Sequence, residues 1–324
     1  MKVLVTGGTG FIGRHLLDEL RLREDVETFA LVRDPRRLGE RCEGPRFHVL
    51  RGDLRAIPPL PSGLDVVFHL AGMTKSTNIK DYYSVNVEGT ASVARALVGR
   101  GTRPRLVHLS SLAAAGPSAA GRPVREDDAP RPVSPYGESK LRAEEEALRF
   151  QGELSVSVLR VAAVYGPGDE DFLSYFRFVR KGLMPLTGRR SFCLSLCYIG
   201  DVIRAMDVCA RPGAAAEGVF NIADPTPRSW EDIGRAAAGV LGIKAVRVRI
   251  PMWVFGAAAA MSEGLSKVTR KPSPLNRSKT RDACQYGWVA DVRKAREVLG
   301  FETRTSFDRG IKETIDWYVR SGRL

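Results

Sequence analysis

Thr6-Gly7-Gly8-Thr9-Gly10-Phe11-Ile12-Gly13 stands where the apolar run 2–6 gives way to a segment, 11–23, whose apolar residues recur at helical spacing. A strand that turns sharply into a helix through such glycines is a phosphate cradle. Gly7 permits the tight turn, Gly10 lets a pyrophosphate approach the backbone, and Gly13 lets the helix pack closely on the strand. Thr9, Phe11 and Ile12 lie between these glycines and are counted with them as cofactor contacts. A glycine-rich turn with no ligand would share the spacing. The context argues against it, because a second strand ends about 20 residues beyond Gly13.

Outward from this stretch, short apolar runs at 2–6, 27–32, 46–50, 65–70, 105–109 and 155–161 alternate with helical-period segments such as 11–23, 82–99 and 136–150. The alternation predicts an α/β chain with a Rossmann-type, doubly wound parallel sheet. Beyond about 165 helices predominate, at 172–181, 202–210, 229–241 (opened by Ser229-x-x-Asp232, a capping box), 251–266, 292–299 and 307–320. The expected organisation is a dinucleotide-binding domain over 1–165 and a smaller, mostly helical substrate lobe over 166–324, some elements of which return to the first domain. A ligand belongs in the crevice between them.

At the end of the second strand, where an acidic side chain would grip both ribose hydroxyls of NAD, stands Arg33 in Val32-Arg33-Asp34-Pro35-Arg36-Arg37. A guanidinium there can form forked bonds to a 2′-phosphate, which favours NADP over NAD. Asp34 could still serve the ribose, and the string also reads as a solvated basic loop. Asp53 and Leu54 follow the third strand, where a carboxylate can accept from an adenine amino group. Leu70, Ala71 and Gly72 end the fourth, where small residues let backbone pass beside a dinucleotide.

Tyr136 and Lys140 are four apart at the start of a helix, hence on one face. A phenol with a pKa near 10 needs an adjacent ammonium to move a proton at neutral pH, and the same ammonium can hold a ribose. With 8 tyrosines and 11 lysines, a chance Tyr-x-x-x-Lys arises roughly 0.27 times, so position decides. This pair opens the helix after the fifth strand, which itself ends in Ser110-Ser111, hydroxyls suited to a substrate oxygen.

Taken together, these residues resemble the extended short-chain dehydrogenases/reductases, the NAD(P)-dependent epimerase/dehydratase family. The resemblance covers essentially the whole chain: the glycine motif, Gly52-Asp53-Leu54, His69-Leu70-Ala71-Gly72, Asn86 in Asn-Val-Glu-Gly-Thr, Ser110-Ser111, Tyr136-x-x-x-Lys140, Leu159-Arg160 and Val164-Tyr165-Gly166-Pro167. It implies an enzyme with Tyr136 as general acid/base, Lys140 as its electrostatic partner and ribose anchor, and Ser111, five residues before Gly116, orienting the carbonyl or alcohol. It also implies a homodimer through the helices at 82–99 and 136–150.

The departures from the family pattern bear on the substrate. Dehydratases carry Thr-Asp-Glu where this chain has Ser111, Leu112 and Ala113. Members that bind nucleotide sugars place an asparagine and an arginine where this chain has Ala163 and Leu194. An uncharged pocket cannot offset the desolvation of a diphosphate, so the implied substrate is a bulky apolar carbonyl or alcohol. The C-terminal third (Ile250 to Phe255, Lys271-Pro272-Ser273-Pro274, Trp288-x-x-Asp291, Leu299-Gly300-Phe301) resembles the 3β-hydroxysteroid dehydrogenase and dihydroflavonol reductase branch. A nucleotide-sugar 4-epimerase and a nucleotide-sensing regulator without turnover are the alternatives.

Composition narrows the remaining classes. Lysine and arginine number 50 against 37 acids, a net charge of +13, but 39 of the cations are arginines spread along the chain, which reads as compositional bias rather than a nucleic-acid surface. Residues 251–281 hold Lys267, Arg270, Lys271, Arg277, Lys279 and Arg281 around an apolar helix. That segment reads either as a core helix with a basic exit loop or as a peripheral contact with an anionic membrane. The five cysteines, Cys42, Cys193, Cys197, Cys209 and Cys284, show no metal-ligand spacing, so no metal is expected. MKVLVTGG has no charged leader and no apolar run reaches the roughly 18 residues of a span, so the expected location is the cytoplasm.

Overall fold

The parallel sheet follows from strands that are apolar on both faces. In a computed structural model, which describes all residues except 43, 102, 120, 187–191, 212, 214–215, 252, 255–256, 258–284 and 286, seven strands form one sheet. In chain order they are β1 (Lys2–Thr6), β2 (Glu27–Val32), β3 (Phe47–Arg51), β4 (Val66–His69), β5 (Arg105–Ser111), β6 (Ser155–Val161) and β11 (Gly218–Ile222). Their spatial order is β3-β2-β1-β4-β5-β6-β11, every pair parallel. The order reverses between β1 and β4, so their carboxyl ends diverge and leave a crevice, the usual place for a dinucleotide. Thr6 of β1 lies in register with Leu31 on one side and His69 on the other.

Helices cover both faces. Leu17 of α1 (Phe11–Arg21) packs with Val3, Val5 and Phe68, and with Val202 and Met206 of α7 (Ile199–Ala210). On the opposite face Val93 and Leu97 of α3 (Gly89–Leu97) and Ala147 of α5 (Pro135–Leu148) cover Leu4, Val67, Leu106 and Val156. The chain enters α3 through a short helix, α2 (Ile79–Tyr82), and a π-helical turn, Tyr83–Glu88. Ser111 caps the four-residue α4 (Leu112–Ala115) by accepting from Ala113 N–H.

A separate aromatic core lies beyond β6. Phe172, Tyr175, Phe176 and Val179, on and beside α6 (Leu173–Arg180), pack with Ile233 of α8 (Trp230–Leu241) and with Phe307, Ile311 and Tyr318 of the last helix, α10 (Phe307–Arg320). The expected capping box is present: Ser229 Oγ accepts from Asp232 N–H, and Asp232 accepts from Ser229 N–H. α9 (Arg293–Leu299) ends at Gly300 in the left-handed conformation.

The chain from residue 163 on holds more strand than its helical periodicity suggested. β7 (Ala163–Tyr165) pairs with β10 (Leu196–Tyr198), β8 (Leu183–Leu186) with β12 (Val246–Arg249), and β9 (Cys193–Leu194) with β13 (Gly287–Trp288). Runs of two to four residues are too short to show a period. β11, from beyond residue 165, completes the main sheet. The expected helix at 251–266 falls outside the described residues except for 251, 253–254 and 257. The turn at 271–274 and the six cations of 267–281 lie wholly outside them. Among the described residues no helix is long and apolar enough to cross a membrane.

Candidate functional site

The glycines of the first motif serve distinct steric needs. Gly7 has φ +75°, and a Cβ there would sit 2.5 Å from Ala71 N, so the turns after β1 and β4 touch only because Gly7 has no side chain. A Cβ on Gly13 would lie 2.2 Å from the Gly7 carbonyl oxygen. Gly10 is the N-cap of α1 and offers no side-chain cap. Gly7, Thr9 and Gly10 line the crevice at this helix N-terminus, and no N-cap side chain competes there, the arrangement that receives a phosphate.

A cleft of about 390 Å³ opens over these groups, lined by Gly7, Thr9, Gly10, Arg33, Asp53, Leu54, Leu70, Ala71 and Gly72 among others. Nine expected cofactor contacts, from four strand ends, thus meet in one cavity. Phe11, Ile12 and Gly13 do not line it: Phe11 stacks edge-on with His15, Ile12 packs into the core, and Gly13 is buried beneath the turn. Arg33 is exposed at the rim. Asp34 is engaged by Arg36, accepting from its backbone N–H at 3.2 Å and its Nε at 2.9 Å. Asp53 accepts from Arg55 N–H at 3.0 Å, which helps hold its carboxyl below the usual range.

The candidate catalytic residues Ser111, Tyr136 and Lys140 do not line this cleft, and Lys140 reaches its edge at Gly72. β5 alternates its side chains, and Ser110 and Ser111 part accordingly. Ser110 donates to buried Glu144 at 2.5 Å, away from the crevice. Ser111 Oγ accepts from Ala113 N–H at 3.2 Å and lies near the Tyr136 phenol. Burial pushes the Tyr136 phenol above its ordinary value, opposed by the nearby Ser111 hydroxyl. Lys140 lies one turn along α5 from Tyr136. Its buried ammonium donates to the Leu109 carbonyl at 2.7 Å, and burial lowers its pKa to about 8. The same Nζ lies 3.8 Å from where a Gly72 Cβ would be, at the edge of this cleft.

A buried hydrogen-bond chain holds these parts together. Thr90 Oγ1 donates to the Asn86 carbonyl at 2.6 Å, so it must accept from His69 Nε2–H at 2.9 Å. His69 Nδ1 then accepts from Thr6 Oγ1–H at 2.7 Å, and Thr6 Oγ1 accepts from Ala71 N–H at 3.3 Å. Asn86 continues the chain. Its Oδ1 accepts from Met73 N–H at 2.6 Å, and its Nδ2 donates to the Met73 carbonyl and to Ser139 Oγ. Ser139 in turn donates to the Tyr136 carbonyl at 2.7 Å. The segment 71–73 and the first turn of α5 are thus parts of one network. Burial lowers the His69 pKa to about 3, which keeps the ring neutral as this pattern requires.

Three further features escaped the sequence reading. Arg160, noted only as part of a motif, forms a fully buried forked pair with Glu144. His108 stacks on His69 with ring centroids 5.3 Å apart, and neither of its ring nitrogens has a partner among the described residues. Lys75 Nζ reaches Asp171 at 2.6 Å, joining the segment after β4 to the segment after β7. None has a local signature, because each pairs residues far apart in the chain.

Comparison with known proteins agrees with this geometry. The model of the NAD dependent epimerase/dehydratase family matches residues 3–223. The chain is 29% identical to a ceramide reductase of Caulobacter vibrioides, over 99% of this chain and 96% of that protein. It is 26% identical to a UDP-glucose 4-epimerase of Vibrio cholerae, over 99% and 96% respectively. Among solved structures, MoeE5 in complex with UDP-glucuronic acid and NAD superposes with a TM-score of 0.79 at 30% identity, covering 99% of this chain and all of that one. With seven parallel strands, a glycine cradle at the switch point and a family match across two thirds of its length, the chain belongs to the NAD dependent epimerase/dehydratase family of NAD-dependent dehydrogenases and epimerases.

Proposed function

We propose that this protein transfers a hydride between a nicotinamide cofactor and the carbonyl or secondary-alcohol carbon of a bulky, apolar substrate. Leu194 carries this reading. It occupies the place where nucleotide-sugar members put an arginine, and it is 6% exposed in the aromatic core with Phe172, Phe176 and Phe192. Ala163 packs against the same core. A diphosphate brought there would lose its hydration and gain no cation from either position. The similarity to a ceramide reductase supports the same substrate class.

In this reading the cofactor, when bound in the cleft, supplies or accepts the hydride. Tyr136 and Ser111 hold the substrate oxygen. Burial keeps the Tyr136 phenol protonated, so it donates a proton to the oxygen as the carbonyl is reduced and takes it back when the alcohol is oxidised. Lys140 anchors the cofactor ribose from beside Gly72. Arg33, exposed at the cleft rim while Asp34 is engaged by Arg36, favours the 2′-phosphate of NADP.

A nucleotide-sugar 4-epimerase is the second reading, and one observation favours it. Arg228 pairs its backbone with Leu194, lies over the Phe307 ring at 4.5 Å, and has a buried Nε with no partner among the described residues. Assays of NADPH- and NADH-dependent turnover on lipophilic ketones, beside a panel of UDP-sugars, separate the two. We expect ketone reduction with NADPH preferred. Tyr136→Phe should lower kcat about 100- to 10,000-fold and leave cofactor affinity within a few fold. Epimerisation without ketone turnover would replace this reading with the second, cofactor binding with no turnover at all would indicate a sensor, and a fully active Tyr136→Phe would remove the acid/base assignment.

A further inference from the structure

Two short stretches of the second lobe, 173–186 and 244–254, contain six exposed large apolar side chains: Phe178, Leu183, Val246, Val248, Trp253 and Val254. Phe178 is 50% exposed, Val246 67% and Trp253 77%. The same stretches hold six cations and no acid. Strand β12 brings the two together. It pairs in parallel with β8, so Val246 stands beside Leu183 and Val248 beside Pro185 on one face. Arg247, on the alternate face, reaches Glu231 of α8 at 2.9 Å. The valine face therefore points away from α8, and all four residues of β12 are exposed.

An apolar strand face with an exposed tryptophan at its end, ringed by arginine and lysine, has the composition of a surface that rests in a lipid headgroup layer. We propose that this face, built on β8 and β12, docks on an anionic lipid bilayer. Arg247 is offset by Glu231, and the other five cations have no acid partner among the described residues, so the excess positive charge fixes the choice of occupant. A second copy of this chain would present the same cationic face and repel it, whereas an anionic surface attracts each basic side chain by about fivefold in partitioning. The surface lies outside the cofactor cleft and is independent of the substrate reading.

The test is co-flotation of the full-length protein with phosphatidylcholine vesicles that do or do not contain phosphatidylglycerol. Binding is expected only to the phosphatidylglycerol vesicles, and it should weaken as salt is raised. Arg180→Gln, Lys181→Gln and Lys244→Gln together should lower partitioning on the order of 100-fold. Val246→Thr with Trp253→Ser should lower it about tenfold or more. Both variants should keep the wild-type unfolding midpoint and NADH affinity, since every altered side chain is exposed. The proposal is overturned by the absence of binding at low salt, by equal binding to both vesicle types, or by folded variants that bind as the wild type does. It is also overturned by a concentration-dependent dimer that Val246→Thr abolishes.

Discussion

The crevice between β1 and β4 and the aromatic lobe beyond β6 are both well packed, yet they are built on different principles. In the crevice the backbone is the working surface. A Cβ on Gly7 or Gly13 would collide with main-chain atoms at 2.5 and 2.2 Å, and hydrogen bonds fix the neighbouring segment. In the lobe, side-chain volume is the working material: Phe172, Phe176, Leu194, Phe307 and Tyr318 fill space against each other. Backbone clashes admit no partial solution, whereas apolar cores tolerate exchanges of similar volume. A site built on backbone contacts therefore admits less change than one built on side-chain volume.

If the two regions are independent, substitutions should separate stability from cofactor binding. Leu194→Ala should cost about 2–5 kcal/mol of stability in urea unfolding and leave NADH affinity within twofold. A large loss of NADH affinity in the folded variant would join the two regions energetically. Gly13→Ala should do the reverse. Overpacking against the Gly7 carbonyl, at roughly 1–3 kcal/mol, should lower NADH affinity about 5- to 150-fold by fluorescence titration, with ketone affinity preserved at saturating cofactor. Unchanged NADH affinity would show that the turn yields more easily than its geometry suggests.

The smallest effect tests the buried histidines beneath the crevice. Burial holds His108 well below its ordinary value of 6.5 and His69 down to about 3, so both rings are neutral when folded. As pH falls below about 6.5, the unfolded chain takes up protons that the folded chain does not, and stability must drop with pH. His108→Phe should make that slope shallower by up to about 1.4 kcal/mol per pH unit between pH 6 and pH 4. An unaltered slope in urea titrations would mean that His108 already carries its proton in the folded protein.

The same contrast explains what could be read without a structure. Gly7, Gly10 and Gly13 were legible because the reasons for them act over a few residues, and strands buried on both faces announce themselves as apolar runs. Tyr136 and Lys140 were legible as a helical pair. Their surroundings were not: the Lys140 ammonium donates to the Leu109 carbonyl, and burial raises the pKa of the Tyr136 phenol. The partnerships of His69 with Thr6 and Thr90, of Glu144 with Arg160 and of Lys75 with Asp171 join residues that only the folded sheet brings together. β11 was overlooked because Gly218–Ile222 is a short run amid helical segments, although Val219, Phe220 and Ile222 carry strand-forming side chains.

The buried chain from Ala71 to Tyr136 has a further consequence, one of cooperativity. Thr6, Thr90 and Ser139 each have a single hydroxyl proton, and each proton is already donated, so the chain has one direction and His69 one tautomer. Reversing any link would leave a buried donor facing a donor. The segment 71–73 and the start of α5 should therefore loosen together, and their amide protons should exchange with solvent as a single unit.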